Sequence, residues 1–475
     1  MSENREHDVV VIGAGPVGEN VADRVVRGGM TAVVVEADLV GGDCSYWACM
    51  PSKALLRPGH VLAAARRVDG AREAVTGGPD VAATLARRDR FTSRWDDAGQ
   101  VEWLAGARID LVRGHGRLAG ERRVVVDTFG DGGPVTLVAR HAVVLATGSV
   151  PTLPPVEGLA GARPWTTKEA TSATEPPGRL VVLGGGVAGC ELAQAFASLG
   201  SAVTLLEMAD RLLPAYEPVA GELVAQAMRE AGIDVRTGVT AASARRNGGT
   251  VVVRLRDGSE ITGDELLVAS GRRPRTGDLG LGAVGLQPGA WLDVDDTMAV
   301  TAVTGGWLYA AGDVNHRVLL THQGKYQARV CGDAIVARAG GRLDPAPWGP
   351  HAATADHRAV PQVVFTDPEV AAVGLSEAQA TEAGIRVRAV DYELGSVAGA
   401  ALYADGYRGH ARMVVDEDRR VVVGATFVGS GAGELLHAAT VAVVGEIPLD
   451  RLWHAVPSYP TLSEVWLRLL EAYGL

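Results

Sequence analysis

The sequence contains one short unit twice, and this repeat constrains the fold more than any other feature. Each copy is an apolar strand, a Gly-x-Gly-x-x-Gly turn, a helical stretch and a second apolar strand that ends in a glutamate. The first glycines of the two copies are 171 residues apart, and each glutamate follows its first glycine by 23 positions. The residues are Gly13, Gly15, Gly18 and Glu36 in the first copy, and Gly184, Gly186, Gly189 and Glu207 in the second.

This unit is typical of a dinucleotide-binding fold. The turn brings the pyrophosphate to the N-terminus of the helix, and the acidic residue binds the adenosine ribose. A lone Gly-x-Gly-x-x-Gly is weak evidence, but the flanking strands and the acid make the pattern specific. We therefore expect two dinucleotide-binding units. The alternative is that one copy is a decayed repeat without a ligand.

Two of the four cysteines, Cys44 and Cys49, follow the first unit closely and precede Pro51 and Lys53. On a regular helix their Cα atoms would be roughly 8–9 Å apart, whereas a disulfide needs about 4.4–6.8 Å. A bond between them would require a distorted start of the helix, and Pro51 suits a first helical turn. Helix N–H groups and Lys53 would lower the pKa of a thiol there. The pattern favours redox chemistry over the alternative of two buried, unpaired cysteines.

Composition excludes several classes of protein. A chain of 475 residues is expected to hold about three domains, and 47% hydrophobic residues with 61 glycines are typical of a soluble α/β protein. The net charge of −11 argues against nucleic acid or an anionic membrane as a partner. No secretory signal and no apolar run of transmembrane length is found. With few cysteines, these features predict a cytoplasmic protein, where a close cysteine pair is more often catalytic or metal-binding than structural.

Hydrophobic periodicity predicts the secondary structure of the remaining segments. Residues 57–105 read as helical, residues 108–146 and 233–269 as strands with Gly-rich turns, and residues 340–361 as a connection into a third domain. From residue 362 onward, strands alternate with helices, including apolar helices near 432–445 and 461–472.

Three further motifs complete an ordered set: Ala146-Thr-Gly-Ser149, Leu308-Tyr-Ala-Ala-Gly-Asp-Val314 and Val363-Val-Phe-Thr-Asp-Pro-Glu369. With the Gly-rich turns and the cysteine pair, they resemble the class I pyridine nucleotide-disulfide oxidoreductases over essentially the whole chain. The resemblance implies an α/β fold with two Rossmann-like domains and a C-terminal α+β dimer-interface domain in a homodimer. The expected segments are 1–150 and 274–349 for FAD, 151–273 for NAD(P)H and 350–475 for the interface.

The resemblance also implies roles for individual residues. Gly13, Gly15 and Gly18 would face the FAD pyrophosphate, Glu36 the ribose and Asp313 the ribityl chain, with Thr147 and Gly148 beside the cofactor. Cys49 would be the thiolate that faces the flavin, and Cys44 the thiol that exchanges with the substrate. Lys53 would lie near the flavin N5, paired with Glu191. For Asp313 the alternative is an ordinary turn residue, and for Lys53 and Glu191 it is a surface ion pair.

The second unit would bind the nicotinamide nucleotide through Gly184, Gly186 and Gly189. Glu207 favours NADH, because a carboxylate accepts hydrogen bonds from a 2′-hydroxyl and repels a 2′-phosphate. Arg211 lies close enough in sequence to weaken this argument. We interpret it as a solvent-exposed arginine.

The C-terminus departs from the disulfide reductases of this family, which carry a His-Pro-Thr run with a glutamate five residues after the histidine. Here Tyr459 stands in the place of the histidine, while Glu464 remains. A tyrosine has a pKa of about 10, against about 6.5 for histidine, and is a poor base at neutral pH. His454 is a possible displaced base and otherwise a structural residue. The C-terminal cysteine pair of mercuric reductases is missing, and Cys190 and Cys331 read as core residues.

These features predict an FAD-dependent NAD(P)H oxidoreductase with a redox-active Cys44–Cys49 disulfide. Its electron acceptor would be a small molecule whose reduction needs no strong base, such as a quinone or another electrophile. Two alternatives stay open. One is a dithiol–disulfide enzyme of the lipoamide dehydrogenase kind, with Tyr459 or His454 as substitute base. The other is a non-catalytic flavoprotein that senses redox state. No metal site is expected.

Overall fold

The computed structural model describes residues 3–129 and 133–475. The chain divides into two compact units, each assembled from separate stretches. The first unit comprises Met1–Met50, Asp89–Pro151 and Arg272–Asp356, and the second comprises Pro51–Arg88, Thr152–Gly271 and His357–Leu475. These units group the chain differently from the four predicted domain segments, whose bounds stay a prediction.

The first unit is built on a mainly parallel sheet. The Val9–Ile12 run lies in its centre and is almost completely buried, as expected for a parallel strand covered on both faces. The strand Arg123–Thr128 runs antiparallel to its two partners, which are Asp110–Leu118 and Val135–Leu145. The parallel strands, in spatial order, are Asp110–Leu118, Ala32–Glu36, Glu3–Ile12, Val135–Leu145 and Leu308–Ala310.

Several helices belong to the first unit. The Pro16–Arg27 helix begins directly after the first Gly-rich turn, with Pro16 at its first position, where the missing N–H costs no hydrogen bond. It packs against the Thr321–Ala339 helix, and Arg24 and Asp333 form an ion pair between the two helices, with contacts of 2.5 and 2.9 Å. Further helices are Gly42–Tyr46, Ala98–Gly106 and, at the end of the unit, Ala355–Arg358, and a short strand pair joins Ser149–Pro151 to Arg272–Pro274.

The second unit contains the repeat of the dinucleotide fold. Its parallel strands, in spatial order, are Glu265–Val268, Arg179–Leu183, Ala202–Leu206 and Asp234–Arg236. The strands Ala241–Asn247, Thr250–Leu255 and Glu260–Gly263 form an antiparallel sheet beside it. The helices of this part are Cys49–Arg66, Val81–Phe91, Thr167–Ser172, Val187–Ser198 and Pro218–Glu230, of which the first and second begin or end in the other unit.

The C-terminal part of this unit is an antiparallel sheet with helices. Its strands, in spatial order, are Gln362–Val364, Glu369–Gly374, Val421–Gly429, His410–Asp416 and Val387–Glu393. The sheet packs on an apolar cluster to which the last helix contributes Val465, Leu469 and Leu470. Its helices are Glu377–Glu382, Ala398–Tyr403, Leu436–Val444, Leu449–Leu452 and Val465–Tyr473.

These elements confirm the predicted fold class of two Rossmann-like parts and a C-terminal α+β part. Cys190 and Cys331 are completely buried, as the sequence predicts. Within the residues that the structure describes, no helix combines the length and the apolar character needed to cross a membrane.

Candidate active site

The first Gly-rich turn is shaped by two close approaches of the backbone. Gly13 has a φ of +103°, and a Cβ there would lie 2.4 Å from the carbonyl oxygen of Ala146. A Cβ on Gly18 would lie 1.8 Å from the carbonyl oxygen of Gly13. Gly18 therefore packs the helix closely against the turn, and its place beside the FAD pyrophosphate stays a prediction. At Gly15, by contrast, a Cβ would meet only Gly42, at 3.9 Å, so this position is open to a ligand.

A cavity of about 400 Å³ lies over this turn. Six predicted cofactor residues and one predicted catalytic residue line it: Gly13, Gly15, Glu36, Thr147, Gly148, Asp313 and Cys44. The Thr147 hydroxyl oxygen is buried there without a hydrogen-bond partner among the described residues. A buried polar atom without a partner is costly, and an open helix N-terminus is a ready site for a phosphate. The cavity over the Gly-rich turn thus fits the diphosphate part of a dinucleotide.

Glu36 holds the turn in shape. One carboxylate oxygen accepts from Ala14 N–H at 2.7 Å, and the other accepts from Asp38 N–H at 2.8 Å. Burial raises the pKa of Glu36, while these backbone N–H groups and Arg275 oppose the rise. Ala37 N–H also donates to this carboxylate. Its two oxygens offer about four acceptor positions in all, which leaves one for a ribose hydroxyl.

Asp313 belongs to a polar cluster that the sequence did not reveal. Ser149 donates its hydroxyl to Asp313 at 2.6 Å. Arg272 donates from Nε to the Ser149 hydroxyl at 2.5 Å and from a terminal nitrogen to the Ser149 carbonyl at 2.8 Å. Asp43, next to Cys44, lies 3.3 Å from the same guanidinium. The Nε of Arg272 also lies 3.7 Å from the Asp313 carboxylate. Asp313 is therefore held by Ser149 and by this cation, which is more than an ordinary turn residue requires.

Cys44 and Cys49 lie on two consecutive helices instead of one. Cys44 is inside Gly42–Tyr46, Cys49 begins Cys49–Arg66, and the chain leaves helical geometry at Trp47. This break is the distortion that the spacing of the two cysteines requires. Both thiols are half-buried and are hydrogen-bonded to each other.

The surroundings of the two thiols are unequal. The hydrogen bond to Cys49 and burial raise the pKa of Cys44, while Thr321 and the charge of Lys325 act in the opposite direction. The hydroxyl oxygen of Thr321 lies 3.3 Å from the sulfur of Cys49. The Thr321 hydroxyl thus interacts with both cysteines, and the charge of Lys325 acts on Cys44 from the same helix.

Lys53 and Glu191 form a partly buried ion pair in the second unit. Their charged atoms are 2.6 Å apart, and the side chains are 33% and 3% exposed, respectively. The other carboxylate oxygen of Glu191 accepts from Phe365 N–H at 2.9 Å, and the Lys53 ammonium lies 5.0 Å from the centre of the Phe365 ring. The burial of Glu191 argues against an ordinary surface pair.

The second Gly-rich turn repeats the geometry of the first. Gly184 has a φ of +111°, and a Cβ on Gly189 would lie 1.9 Å from the Gly184 carbonyl oxygen, whereas Gly186 is open. Glu207 accepts from Gly185 N–H at 2.5 Å and from Ala209 N–H at 2.7 Å. The two glutamates thus have the same local role, and this similarity favours the interpretation of two intact copies.

Arg211 differs from its prediction. It is half-buried instead of solvent-exposed, and it donates to the Pro214 carbonyl at 3.0 Å. Its Nε is buried without a hydrogen-bond partner among the described residues.

The predicted C-terminal residues do not contact each other within one chain. Tyr459 is 75% exposed, and His454 is also exposed. Glu464 is 6% exposed and accepts from Arg468 at 2.6 Å and from Ala398 N–H at 3.3 Å. Glu464 is therefore already engaged by an arginine of its own chain.

A larger cavity, of about 520 Å³, lies in the second unit beside the Cys49–Arg66 and Val187–Ser198 helices. None of the predicted site residues lines it. In residues 3–129 and 133–475, no cluster of three or more His, Cys, Asp or Glu side chains is arranged to hold a metal ion.

Four residues of the first unit were missed as site residues. Arg272 and Ser149 had a signal, because Ser149 ends one quoted motif and Arg272 directly follows the equivalent Ala-Ser-Gly run of the repeat. Thr321 and Lys325 had none, since only the fold brings the Thr321–Ala339 helix to the cysteines.

Comparison with protein families gives two matches that together cover most of the chain. Residues 7–329 match the model of the family described as pyridine nucleotide-disulphide oxidoreductase. Residues 360–469 match the dimerisation domain of the same family.

Curated relatives match over nearly the whole length. A dihydrolipoyl dehydrogenase of Haloferax volcanii is 33% identical over 476 residues, which cover 98% of this chain and 95% of the relative. A mercuric reductase of Staphylococcus aureus is 29% identical over 469 residues, which cover 98% of this chain and 82% of the relative.

Solved structures share the fold. The crystal structure of LpdA from Mycobacterium tuberculosis has a TM-score of 0.83 and 25% identity, with complete coverage of both chains. The HOCl-induced flavoprotein disulfide reductase RclA from Escherichia coli, as a Cu(II) complex, has a TM-score of 0.83 and 23% identity, with 98% and 99% coverage.

Proposed function

Because this chain belongs to the pyridine nucleotide-disulphide oxidoreductase family, we propose that it carries electrons from NADH through FAD and the Cys44–Cys49 pair to a small electrophilic acceptor such as a quinone. When bound, FAD supplies the step that accepts hydride from the nicotinamide and passes two electrons to a disulfide. The residues of this chain bind the two nucleotides, orient them and manage charge and protons.

Each unit binds one nucleotide in this proposal. Gly13, Gly15 and Glu36 shape the FAD site together with Thr147, Gly148 and Asp313. Gly184, Gly186 and Gly189 shape the NADH site, and Glu207 accepts a hydrogen bond from the ribose 2′-hydroxyl and repels a 2′-phosphate. Lys53 provides a cation near the flavin, and Glu191 holds it in place.

The two cysteines have different roles in the proposed thiol chemistry. Cys49 holds the thiolate, stabilised by Thr321, and Cys44 holds the proton until it reacts as the outer thiol. The dimerisation domain supports a homodimer, in which we place Tyr459 and Glu464 of each chain at the site of its partner.

The observation that carries the choice of acceptor is the tyrosine at position 459. Reduction of a substrate disulfide needs a base that handles the substrate thiol, and general acid–base help is typically worth about 10²–10⁴ in rate. Tyr459 is a poor base at neutral pH, and Glu464 is engaged by Arg468. Reduction of a quinone requires no such base.

An acceptor panel tests this proposal. Purified holoenzyme with NADH should reduce benzoquinones faster than lipoamide or glutathione disulfide. Tyr459→His should raise disulfide reduction by at most about 10²–10⁴, and Tyr459→Phe is its matched control. The identity with dihydrolipoyl dehydrogenases makes lipoamide the competing acceptor. Lipoamide turnover above quinone turnover and unchanged in Tyr459→Phe would show that the competing function is correct. A single slow reduction without turnover on any acceptor would favour the sensor.

A further inference from the structure

The cavity of about 520 Å³ in the second unit has no role in the proposed function. All of its lining residues belong to that unit. Its volume is in the range of small-molecule sites, which are mostly apolar and carry a few well-placed polar groups. The side chains of Leu56, Leu223 and Ile233 are part of its apolar wall, and Leu56 and Ile233 are almost completely buried.

Hydrogen bonds connect the elements that surround this cavity. Asp405, in the loop 404–408, donates its N–H to the Arg67 carbonyl at 2.7 Å, just past the C-terminal end of the first helix of the unit. Arg408 of the same loop donates two hydrogen bonds, of 2.5 and 3.0 Å, to the carboxylate of Glu230, at the end of another helix. One loop thus joins both helices, and the cavity between them is preformed.

The charged side chains of the cavity leave one positive charge in excess. Three arginines and two carboxylates line it, namely Arg66, Arg67, Arg408, Asp367 and Glu230. Arg67 is paired with Asp367, and Arg408 is paired with Glu230. Arg66 donates to one backbone carbonyl at 2.6 Å and forms no ion pair with any residue that the structure describes. Its guanidinium therefore has N–H groups left for a carboxylate, which it can bind with two parallel hydrogen bonds.

His60 adds a polar atom that lacks a partner. It lines the cavity, and its Nε2 atom is buried without a hydrogen-bond partner in residues 3–129 and 133–475. Buried polar atoms in folded proteins are almost always paired, so each exception needs an explanation. Burial lowers the pKa of His60, and a neutral imidazole offers one donor and one acceptor nitrogen. The ring therefore adds no charge at pH 8 and can pair with a hydroxyl group.

We propose that this cavity binds a small organic monoanion, with a carboxylate at one end of an apolar body. The carboxylate pairs with Arg66, and the body lies against the apolar wall. His60 is six residues before Arg66, roughly 9 Å along the helix axis, and it pairs with a hydroxyl at the far end of the ligand. A single excess positive charge favours a carboxylate over a dianionic phosphate, whose second charge would have no partner. The proposal does not depend on the proposed function.

Isothermal titration calorimetry of the FAD-loaded protein, at pH 8 and with excess NAD⁺ present, tests this proposal with defined probes. 2-Naphthoate should bind once per chain with a Kd of about 1 mM or below. Its uncharged analogue 2-naphthalenemethanol and the dianion 2-naphthyl phosphate should each bind more weakly, by roughly three- to tenfold. Ala227→Phe places a large side chain in the cavity wall and should abolish the binding of 2-naphthoate.

Two variants test the polar groups separately. Arg66→Gln should weaken the binding of 2-naphthoate by roughly three- to tenfold and leave that of 2-naphthalenemethanol unchanged. Arg256→Gln, at an exposed arginine of the same unit, is the matched control and should bind both probes as the wild type does. 6-Hydroxy-2-naphthoate should bind to the wild type about three- to tenfold more tightly than 2-naphthoate, and His60→Phe should lose this gain.

Absence of 2-naphthoate binding to the wild type, or equal binding to Ala227→Phe, would overturn the proposal. Tighter binding of the phosphate than of the carboxylate would overturn the assignment to a monoanion. If Ala227→Phe fails to fold, Arg66→Gln decides, because its side chain is exposed, and an unchanged affinity for 2-naphthoate overturns the proposal. None of these measurements involves turnover, so failure of the proposed function would leave them unchanged.

Discussion

The Lys53–Glu191 ion pair leads to a prediction that depends on the unequal burial of its partners. The glutamate side chain is 3% exposed and the lysine side chain 33%. In Lys53→Met the buried carboxylate loses its cation, and breaking a buried pair in this way costs about 3–5 kcal/mol. In Glu191→Gln the ammonium keeps part of its hydration, and the amide oxygen still accepts from Phe365 N–H. We expect this second variant to lose only about 1–2 kcal/mol.

The two variants should also differ in their pH dependence. In Lys53→Met, the buried position disfavours a charged side chain that has lost its cation, so a neutral carboxylic acid there costs less in the folded state. The folded state then binds more protons than the unfolded state, so stability increases as pH falls. The cost of Lys53→Met should therefore shrink between pH 7 and about pH 5, close to the ordinary glutamate range. Glu191→Gln has no carboxyl group at this position, and its cost should stay constant.

Thermal unfolding of the FAD-saturated protein at the two pH values measures this difference. A loss of about 3 kcal/mol corresponds to a shift of roughly 6–12 °C, at about 2–4 °C per kcal/mol for domains of this size. Lys168→Met, at an exposed lysine of the second unit, is the matched control and should shift the midpoint little. Equal shifts in Lys53→Met and Glu191→Gln, unchanged by pH, would refute the reasoning, because they would show that Lys53 does not keep Glu191 ionised.

Two further predictions concern the cofactor sites. Glu207→Gln should lower the ratio of kcat/KM for NADH to kcat/KM for NADPH, because the charge that repels a 2′-phosphate is removed while the amide oxygen still accepts from Gly185 N–H. A wild-type preference for NADPH would instead indicate that Arg211 dominates the pocket. Arg272→Met should weaken FAD binding, because Ser149 and Asp313 lose the guanidinium that holds them in place. The flavin-to-protein ratio after gel filtration measures this loss. An unchanged ratio would show that the cluster of Arg272, Ser149 and Asp313 does not support FAD binding.

The repeated unit could be predicted from the sequence because its determinants are local. A glycine at a positive φ, a glycine in close contact with the turn and a glutamate that caps backbone N–H groups all lie within 24 residues of one another. The same local code produces both copies, as the matching geometry of Gly13 with Gly18 and of Gly184 with Gly189 shows. A pattern of this length can be recognised in a single sequence.

The surroundings of the thiols could not be predicted in the same way. Thr321 and Lys325 reach the cysteines from a helix more than 270 residues later in the chain, and no periodicity reveals such a contact. His60 lies in a stretch that the sequence predicts as helical, yet only the fold shows that it lines a cavity. The prediction for Arg211 was wrong for a related reason, because its burial depends on the loop that returns to Pro214.

The central claim is that electrons pass from NADH through FAD to the Cys44–Cys49 pair, with Cys49 as the thiolate against the flavin. Anaerobic titration of the holoenzyme with one equivalent of NADH, followed by absorbance, tests this directly in wild type and Cys49→Ser. In the wild type we predict a long-wavelength charge-transfer band and two new thiols that react with iodoacetamide, and in Cys49→Ser a bleached flavin without the band but with FAD still bound. Bleaching of the wild-type flavin at one equivalent without new thiols, or persistence of the band in Cys49→Ser, would contradict the account.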